Sequence, residues 1–355
     1  LNEEFTQTNV ERVSFAIGKY VYDTFGHNKR IIVGYDPRKM ADVFAKYCAE
    51  LLCKKGFTVE LSCRIVPTPI LAYNAKAKNA VAIMFTASHN PPEYLGMKFI
   101  PDYAGPATSE ITDTIIDNLD LDFPTENNGT ISNVDFATDY YKHIEKLVDF
   151  EKIKKIKTKI IYDGLHSASI GYFDTILDKH GIQYETMNME HDSNFGGKMP
   201  DPKPKYLEDL IEKIKSTANA IGVANDGDAD RFGVINEDGE YVSPNEIIAI
   251  LLKYLSERGI KGSVIKTVGS SILIDNIANK LGINVIETAV GFKHVGEAMR
   301  KNDFIIGGEE SGGLSIQGHI PEKDGILANL LILEAMAFEN KKLAIQRQKY
   351  FDMVK

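Results

Sequence analysis

No stretch of about 18 consecutive apolar residues occurs in the chain, so no membrane-spanning helix is expected. No signal-peptide pattern is evident either, in a chain that opens at Leu1 and not at a methionine. Basic charge is not in excess. The 41 Lys and Arg are outnumbered by 50 Asp and Glu, giving a net charge of −9 and a pI of about 5.5. That balance argues against nucleic acid as a partner, because binding a phosphate backbone needs a basic face. It leaves room for a local basic pocket that holds one phosphate. Cysteine is scarce. Cys48, Cys53 and Cys63 lie in helical or strand patterns without zinc spacing to histidines, and they read as buried free thiols. A reducing, cytoplasmic location is the expectation. What is present is 355 residues, 43% of them apolar, enough for two or three domains with the core divided among compact units.

Three loops stand out. Ala80–Phe85 reads as a buried strand and runs into Thr86-Ala87-Ser88-His89-Asn90-Pro91-Pro92, stiffened by proline. A second apolar run, Ala220–Ala224, ends in Asn225-Asp226-Gly227-Asp228-Ala229-Asp230-Arg231. A third, Phe304–Ile306, ends in Gly307-Gly308-Glu309-Glu310-Ser311-Gly312-Gly313. Each polar loop follows a strand, where ligands bind in open α/β sheets. Ser/Asn/Pro turns and glycine turns use the same residue types without any function.

The segments leading to these loops also repeat. Arg30–Tyr35, a helical stretch, Lys55-Gly56 and Thr58–Leu61 precede the first loop. Lys159–Tyr162, His180-Gly181 and Gln183–Glu185 precede the second. Ser263–Lys266, Leu281-Gly282 and Asn284–Ile286 precede the third. All read strand, helix, glycine cap, strand, then a loop-bearing strand. The fold class expected is α/β: three tandem copies of a mixed sheet-and-helix unit whose loops meet at one cleft. The units are placed at 1–133, 134–240 and 241–355.

Asp226, Asp228 and Asp230 alternate with the small Gly227 and Ala229. Three carboxylates that close repel one another unless a cation lies between them, and oxygen ligands suit Mg²⁺ or Ca²⁺. A calcium-binding helix–loop–helix is disfavoured, because its glycine at position six and glutamate at position twelve are missing. A bland acidic turn is the alternative.

Taken together, the three loops resemble those of the α-D-phosphohexomutases, in the phosphoglucomutase and phosphomannomutase branch. Thr86–Pro91 is similar to that family's phosphoserine loop, Asp226–Arg231 to its metal loop and Gly308–Gly312 to its sugar loop. The resemblance covers essentially the whole chain. It implies an intramolecular phosphotransferase that interconverts hexose 1-phosphate and hexose 6-phosphate. It also implies Mg²⁺, a phosphoserine at Ser88 and a glucose 1,6-bisphosphate intermediate. Lys98, ten residues after Ser88, would belong to the active site. The family's N-terminal arginine loop and C-terminal phosphate-binding domain are not found here, so poor turnover is expected of this 355-residue chain.

The chemistry agrees with the resemblance. Mg²⁺ takes few carboxylates and prefers to share a phosphate oxygen, which makes Ser88 the natural carrier and fourth ligand. A serine hydroxyl needs its charge neutralised, and Arg231 beside the metal could shield it or simply pair with the aspartates. His89 and Lys98 are candidates for proton handling. Glu309 and Ser311 would hold sugar hydroxyls. Lys293, His319 and Lys323 could contact the phosphate the sugar carries, or be solvated. Gly291-Phe292-Lys293 and Glu309-Glu310-Ser311 look like the phosphoglucomutase pattern and favour glucose, with mannose second. A pentose or amino-sugar phosphate mutase, or a non-catalytic sugar-phosphate-binding protein, are the rivals.

Elsewhere, Val10–Val21 predicts a first amphipathic helix capped by Thr6 or Thr8. Arg38 could reach the cleft or form a salt bridge. Pro67-Thr68-Pro69 punctuates before a helix. Asn118–Asn133 reads as a boundary, Phe136–Leu147 as a connecting helix, Ser243 with Glu246 as a capping box and Asn340–Lys349 as a polar linker.

Overall fold

The computed structural model describes residues 5–354, with side chains through residue 349; the expected unit ends at Leu1 and Lys355 lie outside them. The first unit comprises α1 (Gln7–Phe25), β1 (Ile31–Tyr35), α2 (Ala41–Lys54), β2 (Thr58–Ser62), α3 (Thr68–Ala77), β3 (Val81–Phe85), β4 (Met97–Ile100), α4 (Ser109–Asp117) and β5 (Thr130–Val134). Next come α5 (Ala137–Leu147), α6 (Phe150–Ile153), β6 (Lys159–Asp163), α7 (Phe173–Lys179), β7 (Tyr184–Met187), α8 (Glu208–Ser216), β8 (Ala220–Asn225), β9 (Phe232–Ile235) and β10 (Tyr241–Val242). The last group is α9 (Pro244–Glu257), β11 (Ser263–Thr267), α10 (Ile272–Leu281), β12 (Val285–Thr288), α11 (Phe292–Lys301), β13 (Phe304–Gly308), β14 (Leu314–Ile316), α12 (Gly325–Glu339) and α13 (Leu343–Val354).

The sheets run β4-β3-β1-β2-β5, β10-β9-β8-β6-β7 and β12-β11-β13-β14. All three share one strand arrangement. A first strand lies centrally, the second pairs parallel on one side, and the loop-bearing third pairs parallel on the other. A short fourth strand then returns antiparallel to the third. Each polar loop is therefore the turn between the third strand and its return. Helices cover the sheets, which is why strands such as Val81–Phe85 and Ala220–Asn225 are buried along their whole length.

Each unit keeps an apolar cluster of its own on one face of its sheet, around Leu52 and Phe57, Leu210 and Ile214, and Val295 and Met299, but a further cluster joins the units. One apolar cluster runs from Ile70 and Ala82 through Tyr140, Ile144 and Phe173 to Ile248, Leu331 and Ile332. Helix α12 is buried from Gly325 to Met336, with Asn329 and Glu334 the only polar or charged side chains in that span, and it shows no amphipathic stripe. It packs against β8, β9 and α9 and thereby joins the last unit to the second.

Local signals behave as their chemistry dictates. Thr6 caps α1 by accepting from the Asn9 N–H, and Ser243 and Glu246 form the full capping box. Three expectations need correction. Asn340–Lys349 is not a linker: α13 packs against α9 and α10, with Leu343 buried. The Glu237 carboxylate accepts from the Leu343 and Ala344 N–H groups and takes the place of a cap. The 118–133 stretch contains the start of β5, an edge strand parallel to β2. Its residues are exposed on both faces, so no alternation marks it. Of the cysteines, only Cys48 is buried, while Cys63 is exposed. No described helix is long and apolar enough to cross a membrane.

Candidate active site

The serine loop is closed at its base, where Thr86 and Gly96 exchange backbone hydrogen bonds of 3.1 Å. Arg38 holds it from below. Its guanidinium donates to four carbonyls, those of Ser88 (2.6 Å), Asn90 (2.8 Å), Pro91 (2.7 Å) and Tyr94 (3.1 Å). Asp36 fixes the Arg38 Nε at 3.1 Å and accepts from the Thr86 hydroxyl at 2.7 Å. Thr86 Oγ1 in turn accepts the Ser88 N–H at 2.8 Å. So Arg38 is both a salt-bridge partner and the clamp of the loop, with its side chain fully buried. This network holds Ser88 at φ 51°, a left-handed conformation that costs a non-glycine residue about 1 kcal/mol or more.

The metal loop follows β8 and meets the serine loop directly. A Cβ on Gly227 would lie 2.5 Å from the Ser88 carbonyl oxygen, so glycine alone permits this approach. The Ser88 hydroxyl donates to Asp226 Oδ2 at 2.8 Å. One oxygen from each of Asp226, Asp228 and Asp230 lies within 4.8 Å of the others, and all three residues are buried. Asp228 Oδ1 and Asp230 Oδ1 are buried without a hydrogen-bond partner among the described residues. Buried carboxylate oxygens left bare are costly, and a divalent cation satisfies them. The donor set, all hard oxygen, fits such an ion.

Charge is distributed unevenly over the trio. Burial, then Asp228 and Asp230, push the Asp226 carboxyl well above the usual carboxylate range. Burial opposes the Asp230 charge as well, but Lys323, Lys98 and Arg231 outweigh it and hold that carboxyl low. The Lys323 ammonium is 2.9 Å from Asp230 Oδ2, and Lys98 is 3.4 Å from the same oxygen and from Glu322 Oε2. Burial disfavours the Lys98 charge, yet Glu322 and Asp230 more than reverse this and keep it an ammonium. Burial and the Arg231 charge lower His89, whose Nδ1 is buried without a partner among the described residues.

The sugar loop after β13 joins the same cleft. A Cβ on Gly313 would lie 2.3 Å from Lys323 Cδ and 3.3 Å from Glu309 Oε1. The glycine thus lets Lys323 and Glu309 converge. Glu309 is buried, Ser311 Oγ has no partner among the described residues, and Arg231 Nε is likewise buried and unpartnered. Glu310 points away, accepting from the Thr267 hydroxyl at 2.5 Å and anchoring the loop to β11.

Ser88, His89, Lys98, Arg231, the three aspartates, Glu309, Ser311 and Lys323 are therefore gathered at one cleft. Lys293 lies outside this cluster: it is exposed on α11 and donates to Ser109 Oγ at 3.1 Å. His319 does not face the cleft. Its ring lies between His143 Nε2 (3.0 Å) and Asp324 Oδ2 (2.9 Å), and the side chain is fully buried. Neither nitrogen is left to meet a phosphate. Sequence reasoning missed Asp36 and Glu322. Glu322 sits in a charged Pro-Glu-Lys-Asp-Gly stretch that looks like a solvated turn, yet it is fully buried.

Residues 1–123, 138–239 and 243–352 match alpha/beta/alpha domains I, II and III of the phosphoglucomutase/phosphomannomutase family. The phosphoglucosamine mutase of Methanococcus maripaludis strain C5 is 31% identical over 340 residues, 93% of this chain and 74% of the relative. The phosphoglucomutase/phosphomannomutase of Thermococcus kodakarensis is 28% identical over 349 residues, 97% of this chain and 76% of the relative. A crystal structure assigned as a phosphomannomutase of Thermus thermophilus is 32% identical and superposes with a TM-score of 0.94, covering 99% of this chain and 81% of that one. Three tandem units, a shared cleft and these likenesses lead to one conclusion: the chain belongs to the phosphoglucomutase/phosphomannomutase family of phosphohexomutases, which are isomerases.

Proposed function

We propose that this chain interconverts glucose 1-phosphate and glucose 6-phosphate, with mannose phosphates second, by way of a phosphoserine at Ser88. The observation that carries the reading is the Ser88 hydroxyl, 2.8 Å from Asp226 within the acidic trio. In the transfer, the bond from phosphorus to Ser88 Oγ breaks and a bond to the free sugar hydroxyl forms. The hydroxyl proton leaves to a base, the role we assign to His89, whose pKa burial lowers. The resulting hexose 1,6-bisphosphate reorients and returns its other phosphate to Ser88. Mg²⁺ held by Asp226, Asp228, Asp230 and the Ser88 carrier would neutralise charge on the transferring group. Lys98 and Arg231 offer further positive charge, while Glu309, Ser311 and Lys323 orient the sugar phosphate.

A second reading, glucosamine phosphate as substrate, is favoured by the name of the Methanococcus maripaludis relative. A coupled assay decides between them. It would compare glucose 1-phosphate, mannose 1-phosphate and glucosamine 6-phosphate, each with a trace of its own bisphosphate. Intact mass should show about 80 Da of phosphate on the chain and none on Ser88→Ala. An unphosphorylated chain, or a Ser88→Ala variant with normal turnover, would sink the phosphoserine reading.

A further inference from the structure

The Pro67-Thr68-Pro69 turn plays no part in the chemistry above, yet it touches the metal loop. Pro67 is extended (φ −60°, ψ 140°) and Pro69 lies in the first turn of α3. Proline is tolerated there because the first helical N–H groups have no acceptor within the helix. The Thr68 N–H is one of these free donors, and it bonds the main-chain oxygen of Asp228 at 2.9 Å. The fully buried Thr68 hydroxyl bonds Asp228 Oδ2 at 2.6 Å. One residue of the first unit thus fixes both the backbone and the carboxylate of a residue in the second.

All three aspartates have an oxygen held by the protein, but by different groups. Asp226 is held by the Ser88 hydroxyl and the Arg231 N–H, and Asp230 by two ammonium groups. For Asp228, as for Asp226, the holder is neutral, here the Thr68 hydroxyl from the other unit. A neutral donor fixes the carboxylate without subtracting from the negative charge that attracts a cation, and the bond is of the strong, charge-assisted kind. The other oxygen, Oδ1, stays buried and unpartnered among the described residues.

We propose that Thr68 is a positioning residue for the cation: it locks the Asp228 carboxylate so that Oδ1 faces the ion, and it makes cation binding depend on contact between the first and second units. This rests on reading the aspartates as a cation site. A mere staple between units would affect stability and leave ion affinity alone.

The test is calorimetric titration of Mg²⁺ and Mn²⁺ into the chelator-stripped full chain. Thr68→Val keeps the shape and removes the donor. It should weaken binding about tenfold or more, the usual effect of losing an orienting partner. Thr68→Ser keeps the donor and should stay close to the original affinity. If Thr68→Val does not fold, Thr68→Ala, which cannot overpack, carries the same expectation. Activity of the folded variant should recover as Mg²⁺ is raised. Unchanged affinity in Thr68→Val or Thr68→Ala, or an equal loss in Thr68→Ser, overturns the role of Thr68 alone. An unsubstituted chain that binds neither ion overturns the cation site and this inference with it.

Discussion

Lys98, on the return strand of the first sheet, lies 3.4 Å from Glu322, which precedes α12. The Glu322 side chain is fully buried, and its Oε2 has no hydrogen-bond partner among the described residues. Lys323 adds a second ammonium beside the same cluster. Glu322→Ala should leave Lys98 and Lys323 undercompensated beside Asp230. Removing one member of a buried charged pair is strongly destabilising, but Lys98 is 27% exposed and keeps Asp230. A loss of about 2 kcal/mol in urea unfolding is expected. Glu322→Gln should lose less, since it keeps the shape. Equal stability of all three proteins would show that this ion pair contributes nothing.

Arg38→Lys tests the clamp on the serine loop. Lysine cannot supply a planar fork to four carbonyls. Those carbonyls become undersatisfied, at a total cost of about 2–3 kcal/mol. Hydrogen exchange should accelerate across residues 86–96 more than in β1 or β6, and turnover should fall although Arg38 meets no substrate. Unchanged exchange in that loop would refute the clamp.

Metal dependence should appear in stability as well as rate. Without a cation the buried carboxylates repel, which is why Asp226 is pushed toward its neutral form by burial and by its two neighbours. Adding Mg²⁺ at about 100 times its dissociation constant should stabilise the chain by about 2.7 kcal/mol. Asp228→Ala should lose most of that gain, and a chelator should abolish turnover until Mg²⁺ is restored. Thermal melts with and without Mg²⁺ measure the first effect directly.

A pH effect should come from His143. Burial first, then the His319 ring, lower its pKa from 6.5 to about 4, with Lys146 and Lys76 adding and Asp324 opposing. Its folded value lies below its unfolded value. The contribution to stability is therefore complete above pH 6.5 and is lost as pH falls through 4. Because the group is partly exposed, the difference should amount to roughly 1 kcal/mol. His143→Gln should flatten the fall in melting temperature between pH 6.5 and 4. A parallel fall in both proteins would contradict this.

The sequence alone determined the repeated strand–helix–strand unit, the three loops and the identity of most cleft residues. Burial on both faces requires near-continuous apolar runs, and those runs end where the loops carrying Ser88, Asp226 and Glu309 begin. Such signals are local and survive without tertiary context. Where local chemistry was ambiguous, only the packed structure decided. β5 is exposed on both faces and carries no period, and α13 is polar enough to pass for a linker until Glu237 caps it. His319 and Glu322 stand in one short turn-like stretch, yet the first is spent on Asp324 and the second faces Lys98. Lys98 lies on another sheet, 224 positions before Glu322 by their numbers (322 less 98). Partners chosen across that separation depend on how three sheets dock, and docking is set by the shared core around α12.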